Sequence, residues 1–238
     1  MTAEYRAADA VSPVEIDLGF ARLDVDRARR TGDPEVVFGA GKEPGHVVRI
    51  LRTLHEAHPE RTVLATRLSA EASALCRAEL PEVRLDETGR TASLGPCGPL
   101  RGRVAVVTAG TADLPVAREC AVTLEAFGTA VQLLPDVGVA GLHRLLDRMG
   151  EIEACDVVVA VAGMEAALPS VLGGLTGRPL IGLPTSVGYG WHMEGLTAWL
   201  AMLNTCAPGV LSVNVDNGFG AAVAAARIAR GMVREEQR

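Results

Sequence analysis

The residues best suited to chemistry lie between Ala162 and Ala221, among apolar runs and Gly-rich turns. Glu165 stands in AGMEAALP, with only Gly163, Met164, Ala166 and Ala167 beside it. A carboxylate among uncharged neighbours can have a raised pKa and trade protons as acid or base. The plainer reading is a carboxylate that favours a helix N-terminus. Cys206 follows AWLAMLNT and precedes Ala-Pro-Gly-Val. It is either an inert buried thiol at a helix end or a nucleophile held by the turn of Pro208 and Gly209. As a nucleophile its thiolate would need a positive neighbour or a cationic substrate. Thr185 and Ser186 precede Gly188 in TSVGYG, which suits anion or ribose binding and equally a plain flexible loop. Asp216 and Asn217 in NVDNGFGAA could hold a polar ligand or a metal, or make an Asx turn that caps the last helix.

A further candidate lies upstream. AGTADLP (Ala109–Pro115) ends an apolar run and opens a helix. Backbone N–H groups at Gly110 and Thr111 could hold a phosphate there, and Asp113 could accept from ribose hydroxyls. Helix capping by Thr111 or Asp113 is the alternative. The loop is neither a G-x-G-x-x-G nor a Walker loop, so its glycines alone do not specify a dinucleotide. GAGK at Gly39–Lys42 has the wrong spacing for a phosphate loop, and no Ser or Thr follows Lys42. His143 and Arg144 are a basic pair that suits solvent, although Arg144 could reach a phosphate.

These residues need elements to position them. From Arg103 onward apolar runs alternate with helical stretches. Strands are predicted at Arg103–Gly110, Ala130–Leu134, Asp156–Ala162, Pro179–Leu183 and Val210–Val215. Helices are predicted at Pro115–Phe127, Gly141–Met149, Met164–Leu175, Gly195–Leu203 and Phe219–Val233. Strands without polar alternation imply a sheet covered on both faces, hence an α/β fold with a doubly wound parallel sheet. Ligands of such sheets bind at the carboxyl ends of the strands, near a switch in strand order. The loops to inspect are therefore Thr108–Leu114, Pro135–Gly141, Ala162–Leu168, Pro184–His192 and Val215–Gly220.

The first hundred residues read as a smaller α/β unit. Residues 1–20 look irregular, and Asp24–Arg30 suits a short helix. Strands are expected at Glu35–Phe38 and Thr62–Thr66. A helix from Pro44 would turn Val47, Val48, Ile50, Leu51 and Leu54 inward. Ser69–Leu80 suits a helix capped by Ser69, and residues 83–95 suit a hairpin around Glu87–Arg90. GPCGPLRG (Gly95–Gly102) is the natural linker. The resulting units are 1–100 and 101–238.

Composition narrows the function classes. The chain has 238 residues, 48% hydrophobic and 22% charged, so a sizeable core can form. An aromatic share of 3% and a net charge of −6 argue against nucleic-acid and membrane-surface partners. No apolar run has the length of a membrane span, and the first residues carry no basic-then-apolar leader, so a cytoplasmic location is expected. Cys76, Cys97, Cys120, Cys155 and Cys206 show no CxxC spacing, which fits reduced thiols rather than a zinc site or disulfides.

GDPEVVFGAGK, TAGTADLPVA, DVGVAGLHR, AGMEAALPSVLGGL, GLPTSVGYG, LAMLNTCAPGV and VNVDNGFGAA, taken together and in this order, resemble the LarB family of nickel-pincer nucleotide cofactor synthesis. The likeness covers about residues 24–230. The second half is also similar to PurE-type aminoimidazole ribonucleotide (AIR) carboxylases, which have a flavodoxin-like fold. The resemblance implies that the substrate is nicotinic acid adenine dinucleotide. Its pyridinium ring would be carboxylated at C5 from CO2 or bicarbonate. Its phosphoanhydride would be hydrolysed with Mg2+, giving AMP and pyridinium-3,5-biscarboxylic acid mononucleotide. Cys206 matches the family's nucleophile and Glu165 its acid/base. Asp113 matches a sugar-contacting position. Gly110, Thr111, Gly163, Met164, Thr185, Ser186, Gly188, Asp216 and Asn217 would line the pocket. A homo-oligomer is expected, and the metal ligands stay unassigned. Two departures from the family pattern stand out: Ala166 where Gly is usual, and WHMEG after Gly190. The purine enzyme's catalytic histidine has no counterpart in Asp136–Gly141. The alternatives are an AIR carboxylase/mutase and a non-catalytic nucleotide-binding subunit.

Overall fold

The computed structural model describes residues 14–236. Its first feature is a pair of short antiparallel strands, β1 (Ile16–Asp17) and β2 (Arg22–Leu23), where irregular chain is expected. The pairing is closed at Gly19, which takes φ +84° and donates its N–H to Asp17 at 2.7 Å. The remainder of that stretch, residues 1–13, lies outside the described residues.

The next elements are α1 (Arg27–Thr31), β3 (Val36–Phe38), α2 (Pro44–Ala57), β4 (Val63–Thr66), α3 (Ala70–Glu79), β5 (Arg84–Asp86) and β6 (Thr91–Leu94). Helix α2 starts at its proline and buries Val47, Val48, Ile50, Leu51 and Leu54, as their spacing predicts. The Ser69 hydroxyl caps α3 by accepting from the Ala72 N–H at 3.1 Å. The strands form a mixed sheet in the order β3-β4-β6-β5, with β5 and β6 as the expected hairpin. Residues 95–102 carry no regular structure.

The second half contains β7 (Arg103–Thr108), α4 (Leu114–Ala126), β8 (Ala130–Leu134), α5 (Leu142–Leu146), α6 (Met149–Glu153), β9 (Val157–Ala162), α7 (Ala167–Leu175), β10 (Leu180–Pro184), α8 (Leu196–Leu203), β11 (Val210–Ser212) and α9 (Gly218–Glu236). Its five strands are all parallel, in the order β11-β10-β9-β7-β8. This is the doubly wound, flavodoxin-type order, with the switch between β7 and β9. Alternation along β7 shows why its sequence is apolar throughout. Val104 and Val106 pack with α4 and α9, and Ala105 and Val107 pack on the opposite face with α5 to α8. Helix α9 lies close because Ala221, Ala222, Ala225, Ala226 and Ala229 form its buried stripe.

Several boundaries differ from the sequence expectation, among them these three. The helix expected over Gly141–Met149 is two short helices, broken where Arg148 leaves helical geometry (φ −103°, ψ 2°). The helix expected from Met164 begins only at Ala167, because Met164 and Ala166 take left-handed backbone angles. Pro169 then falls in the first turn, where its missing N–H is not needed. Strand β11 ends at Ser212 rather than Val215.

Candidate active site

The carboxyl ends of β7 and β9 open a cavity of about 270 Å³ at the strand-order switch. Gly110 and Asp113 come from the loop after β7, and Gly163, Met164 and Glu165 from the loop after β9. Val187 comes from the loop after β10. Arg144 of α5 also lines it and ion-pairs with Asp136 at 2.6 Å, so that side chain faces the site.

Asp113 fastens these loops together. Its side chain is buried, accepting from the Thr185 hydroxyl at 2.7 Å and the Gly110 N–H at 2.9 Å, and the Gly163 N–H also bonds it. Burial pushes its carboxyl pKa up, and the donors from Thr185, Gly110 and Gly163 partly offset that. Three of its roughly four lone-pair sites are thus in use. Asp113 sits at the floor of the cavity as a clamp, and Thr185 lies fully buried beneath the site.

The loop carrying Glu165 is held from the side. The Met164 N–H donates to the Val187 carbonyl at 2.9 Å. Gly163 makes the approach possible, since a Cβ there would stand 2.2 Å from that carbonyl oxygen and 2.7 Å from the Thr185 hydroxyl. Met164 (φ 52°) and Ala166 (φ 50°) flank Glu165 with left-handed geometry rare for residues with a side chain. Such strain persists where the surroundings over-determine it, and it clusters at functional sites. The result presents Glu165 exposed at the cavity wall.

Asp216, itself left-handed (φ 56°), accepts from the Ser186 N–H at 2.8 Å and donates its own N–H to the Pro184 carbonyl at 2.8 Å. Asn217 accepts from the Gly220 N–H at 2.8 Å, the Asx cap of α9. Ser186 and Asp216 line a second cavity and Asn217 a third, both adjoining the first unit's Arg67. Thr111 is exposed on the loop after β7, and Gly188 packs against His192.

Cys206 is not brought to Glu165 within one chain. It lies in the turn between α8 and β11, whose first residue Val210 pairs with Leu180 at the start of β10. That turn is on the amino side of the sheet. The neighbouring Thr205 hydroxyl bonds the Ser170 hydroxyl, partway along α7, at 2.7 Å. Cys206 is exposed, which excludes the inert buried thiol. On the elements flanking it Leu200, Leu203 and Leu211 are roughly half exposed, and at the opposite, carboxyl edge Tyr189 and Trp191 project from the loop after β10 at 78% and 87% exposure.

Among the described residues no three His, Cys, Asp or Glu side chains converge on a metal position. Sequence reasoning missed Arg67, Glu119 and the Thr88–Arg90 turn. Only Gly89, which lacks the Cβ that would meet α4 at 2.8 Å, hinted at a close approach. No described helix is long and apolar enough to cross a membrane.

A protein-family profile described as the LarB/PurE-like N-terminal domain matches residues 15–95, and the AIR carboxylase profile matches residues 103–236. An uncharacterized protein of Methanocaldococcus jannaschii is 39% identical over 222 residues, covering 89% of this chain and 84% of its own. The N5-carboxyaminoimidazole ribonucleotide mutase of the same organism is 32% identical over 130 residues, covering 52% of this chain and 77% of its own. The mutase of Thermotoga maritima is 30% identical over 135 residues, covering 53% and 74% respectively.

Proposed function

The chain belongs to the LarB family, with a PurE-like AIR carboxylase domain as its second half, and from that premise we propose that it carboxylates nicotinic acid adenine dinucleotide at C5 of the pyridinium ring. It would also hydrolyse the phosphoanhydride, releasing AMP and pyridinium-3,5-biscarboxylic acid mononucleotide. The coarser assignment, a carboxylase-related enzyme, follows from the AIR carboxylase domain. The observation that carries the finer one is Glu165, exposed at the wall of the switch-point cavity between two left-handed residues.

The chemistry assigns two roles. A pyridinium ring is electron-poor and does not attack CO2. Addition of the Cys206 thiolate at C4 or C6 breaks aromaticity and leaves an enamine, nucleophilic at C5. Carbon–carbon bond formation to CO2 then leaves C5 bearing a proton and a carboxylate. Glu165 removes that proton, the electron pair forms the ring double bond, and the thiolate departs. The cationic ring itself favours the thiolate. Asp113 positions the loops, Gly110 lines the cavity with Glu165, and Ser186 and Asp216 line the one beside it.

Because Cys206 lies off the cavity of its own chain, this reading requires a homo-oligomer in which a second copy delivers the thiol. The exposed leucines on both sides of Cys206 support such a contact. AIR carboxylation or mutation, the reaction in the relatives' names, is the second reading. Against it stands the absence of a histidine from Asp136–Gly141, the loop on the far side of the cavity. The experiment offers the protein each substrate with bicarbonate and Mg2+ and separates the products by chromatography. AMP release from the dinucleotide supports the proposal, and turnover of the ribonucleotide alone refutes it.

A further inference from the structure

The linker between the two units is bonded to both. The Thr62 hydroxyl donates to the Pro96 carbonyl at 2.7 Å, the Arg101 N–H to the Gly128 carbonyl at 2.7 Å, and the Ala130 N–H to the Gly102 carbonyl at 3.0 Å. Gly102 and Gly128 allow these contacts. Both are left-handed (φ +79° and +71°), and a Cβ on them would stand 2.7 Å from the Ala229 Cβ and 2.9 Å from the Pro99 carbonyl oxygen. So pinned, the linker walls a cavity of about 470 Å³. The cavity lies at the amino edge of the parallel sheet, where β7 and β8 begin, opposite the edge that carries Glu165.

Arg61 from the first unit, Arg101 from the linker and Arg230 from α9 line this cavity, and among the described residues no Asp or Glu does. Arg61 bonds Glu60 at 2.8 Å. Arg230 shares the buried Asp33 carboxylate with Arg227, at 2.5 and 2.6 Å respectively. Arg101 is exposed, and its side chain makes no hydrogen bond or ion pair among the described residues. These four arginines meet two carboxylates, so two positive charges remain uncompensated. The last turn of α4 brings the negative end of its dipole here. Its Thr123, Leu124 and Glu125 carbonyls, however, accept from the N–H groups of Phe127, Gly128 and Thr129. Pro34, Pro99 and Phe127 supply apolar wall. The volume lies within the range of ligand pockets, roughly 300–1,000 Å³. Guanidinium groups from three separate segments, with charge to spare, suit a multiply charged phosphate.

We propose that this cavity is an accessory site for a polyphosphate anion, free or carried on a nucleotide, with Arg101 as its uncommitted cation. The site is separate from the cavity with Glu165 and does not depend on the reaction proposed for it. Its walls come from both units and from the linker. A bound anion therefore holds them together, and binding raises the melting temperature.

Calorimetric titration of the full-length protein with tripolyphosphate, and separately with ATP, tests this. Both are expected to bind. Equal affinities identify the phosphate chain as the recognised group, and tighter ATP identifies a nucleotide; either supports the site. Arg101→Gln is expected to weaken tripolyphosphate by roughly tenfold or more, the effect of losing a hydrogen bond between charged groups. Because the Arg101 side chain has no partner to lose, the melting temperature of this variant without ligand is expected to match wild type. Arg101→Lys keeps the charge without the planar fork and is expected to fall between. An excess of nicotinic acid adenine dinucleotide is expected to leave the bound tripolyphosphate in place. The proposal is overturned if wild type binds neither anion, if Arg101→Gln binds tripolyphosphate as wild type does, or if the dinucleotide displaces it, which would put the anion at the carboxyl edge.

Discussion

The Thr185 hydroxyl donates at 2.7 Å to the buried carboxylate of Asp113, joining the loops that follow β10 and β7 across the strand-order switch. The same carboxylate accepts from Gly110 and Gly163, so one side chain ties three loops. Replacing Asp113 with Ala leaves the Thr185 hydroxyl and two N–H groups without a partner, at a cost of about 1–3 kcal/mol in a chemical denaturation experiment. Catalysis is expected to fall further than stability, because the loop bearing Glu165 loses its anchor.

Asp113 also gives a pH signature. Burial raises its folded-state pKa above the ordinary value of 3.8. Between 3.8 and the raised value the folded protein holds a proton that the unfolded chain has released. The group's contribution to stability is therefore full below 3.8 and is lost as pH rises through the folded pKa. Wild type is expected to gain stability relative to Asp113→Asn as pH falls from neutrality toward 4. A wild type that loses ground over that window contradicts the burial argument.

Gly163→Ala puts a methyl 2.2 Å from the Val187 carbonyl oxygen, between backbones that both belong to anchored loops. Overpacking of this kind costs about 1–3 kcal/mol. A lower melting temperature and a large loss of turnover are the expected result. A variant with wild-type activity would mean that the two loops move independently.

Glu165 is exposed, and its substitution touches no packing. Glu165→Gln is expected to change stability by no more than about 0.5 kcal/mol while abolishing carboxylation. Retained substrate affinity, measured by titration, separates proton transfer from binding.

The proposed delivery of Cys206 by a second copy has its own test. Cys206→Ala and Glu165→Gln are each expected to be inactive alone. Mixed and reassembled, they regenerate some sites with both side chains intact, and part of the activity returns. Failure of mixed oligomers to recover any activity, despite shown subunit exchange, contradicts delivery of Cys206 by a second copy.

The parallel sheet was legible because strands such as β7 and β9 bury both faces, which demands unbroken apolar runs. The ligand edge followed from strand order. What was not legible was backbone geometry that residue type conceals: the left-handed angles at Met164, Ala166 and Asp216, and the pairing of β1 with β2. The position of Cys206 was available from topology alone. It follows a helix and precedes a strand, and such turns lie on the amino side of a parallel sheet, away from the cavity. Resemblance assigned it to the active site, and within one chain the geometry keeps it apart from Glu165. The Arg67 bond to the Asp216 carbonyl spans the two halves of the sequence, and no local pattern could announce it.

Carboxylation of the dinucleotide's pyridinium ring is measured most directly by the mass spectrum of the products after incubation with nicotinic acid adenine dinucleotide, Mg2+ and 13C-labelled bicarbonate. The expected products are a mononucleotide heavier than nicotinic acid mononucleotide by one labelled carboxylate, together with AMP, and neither from Glu165→Gln. An unlabelled dinucleotide recovered intact, beside a carboxylated aminoimidazole ribonucleotide in a parallel incubation, would contradict it.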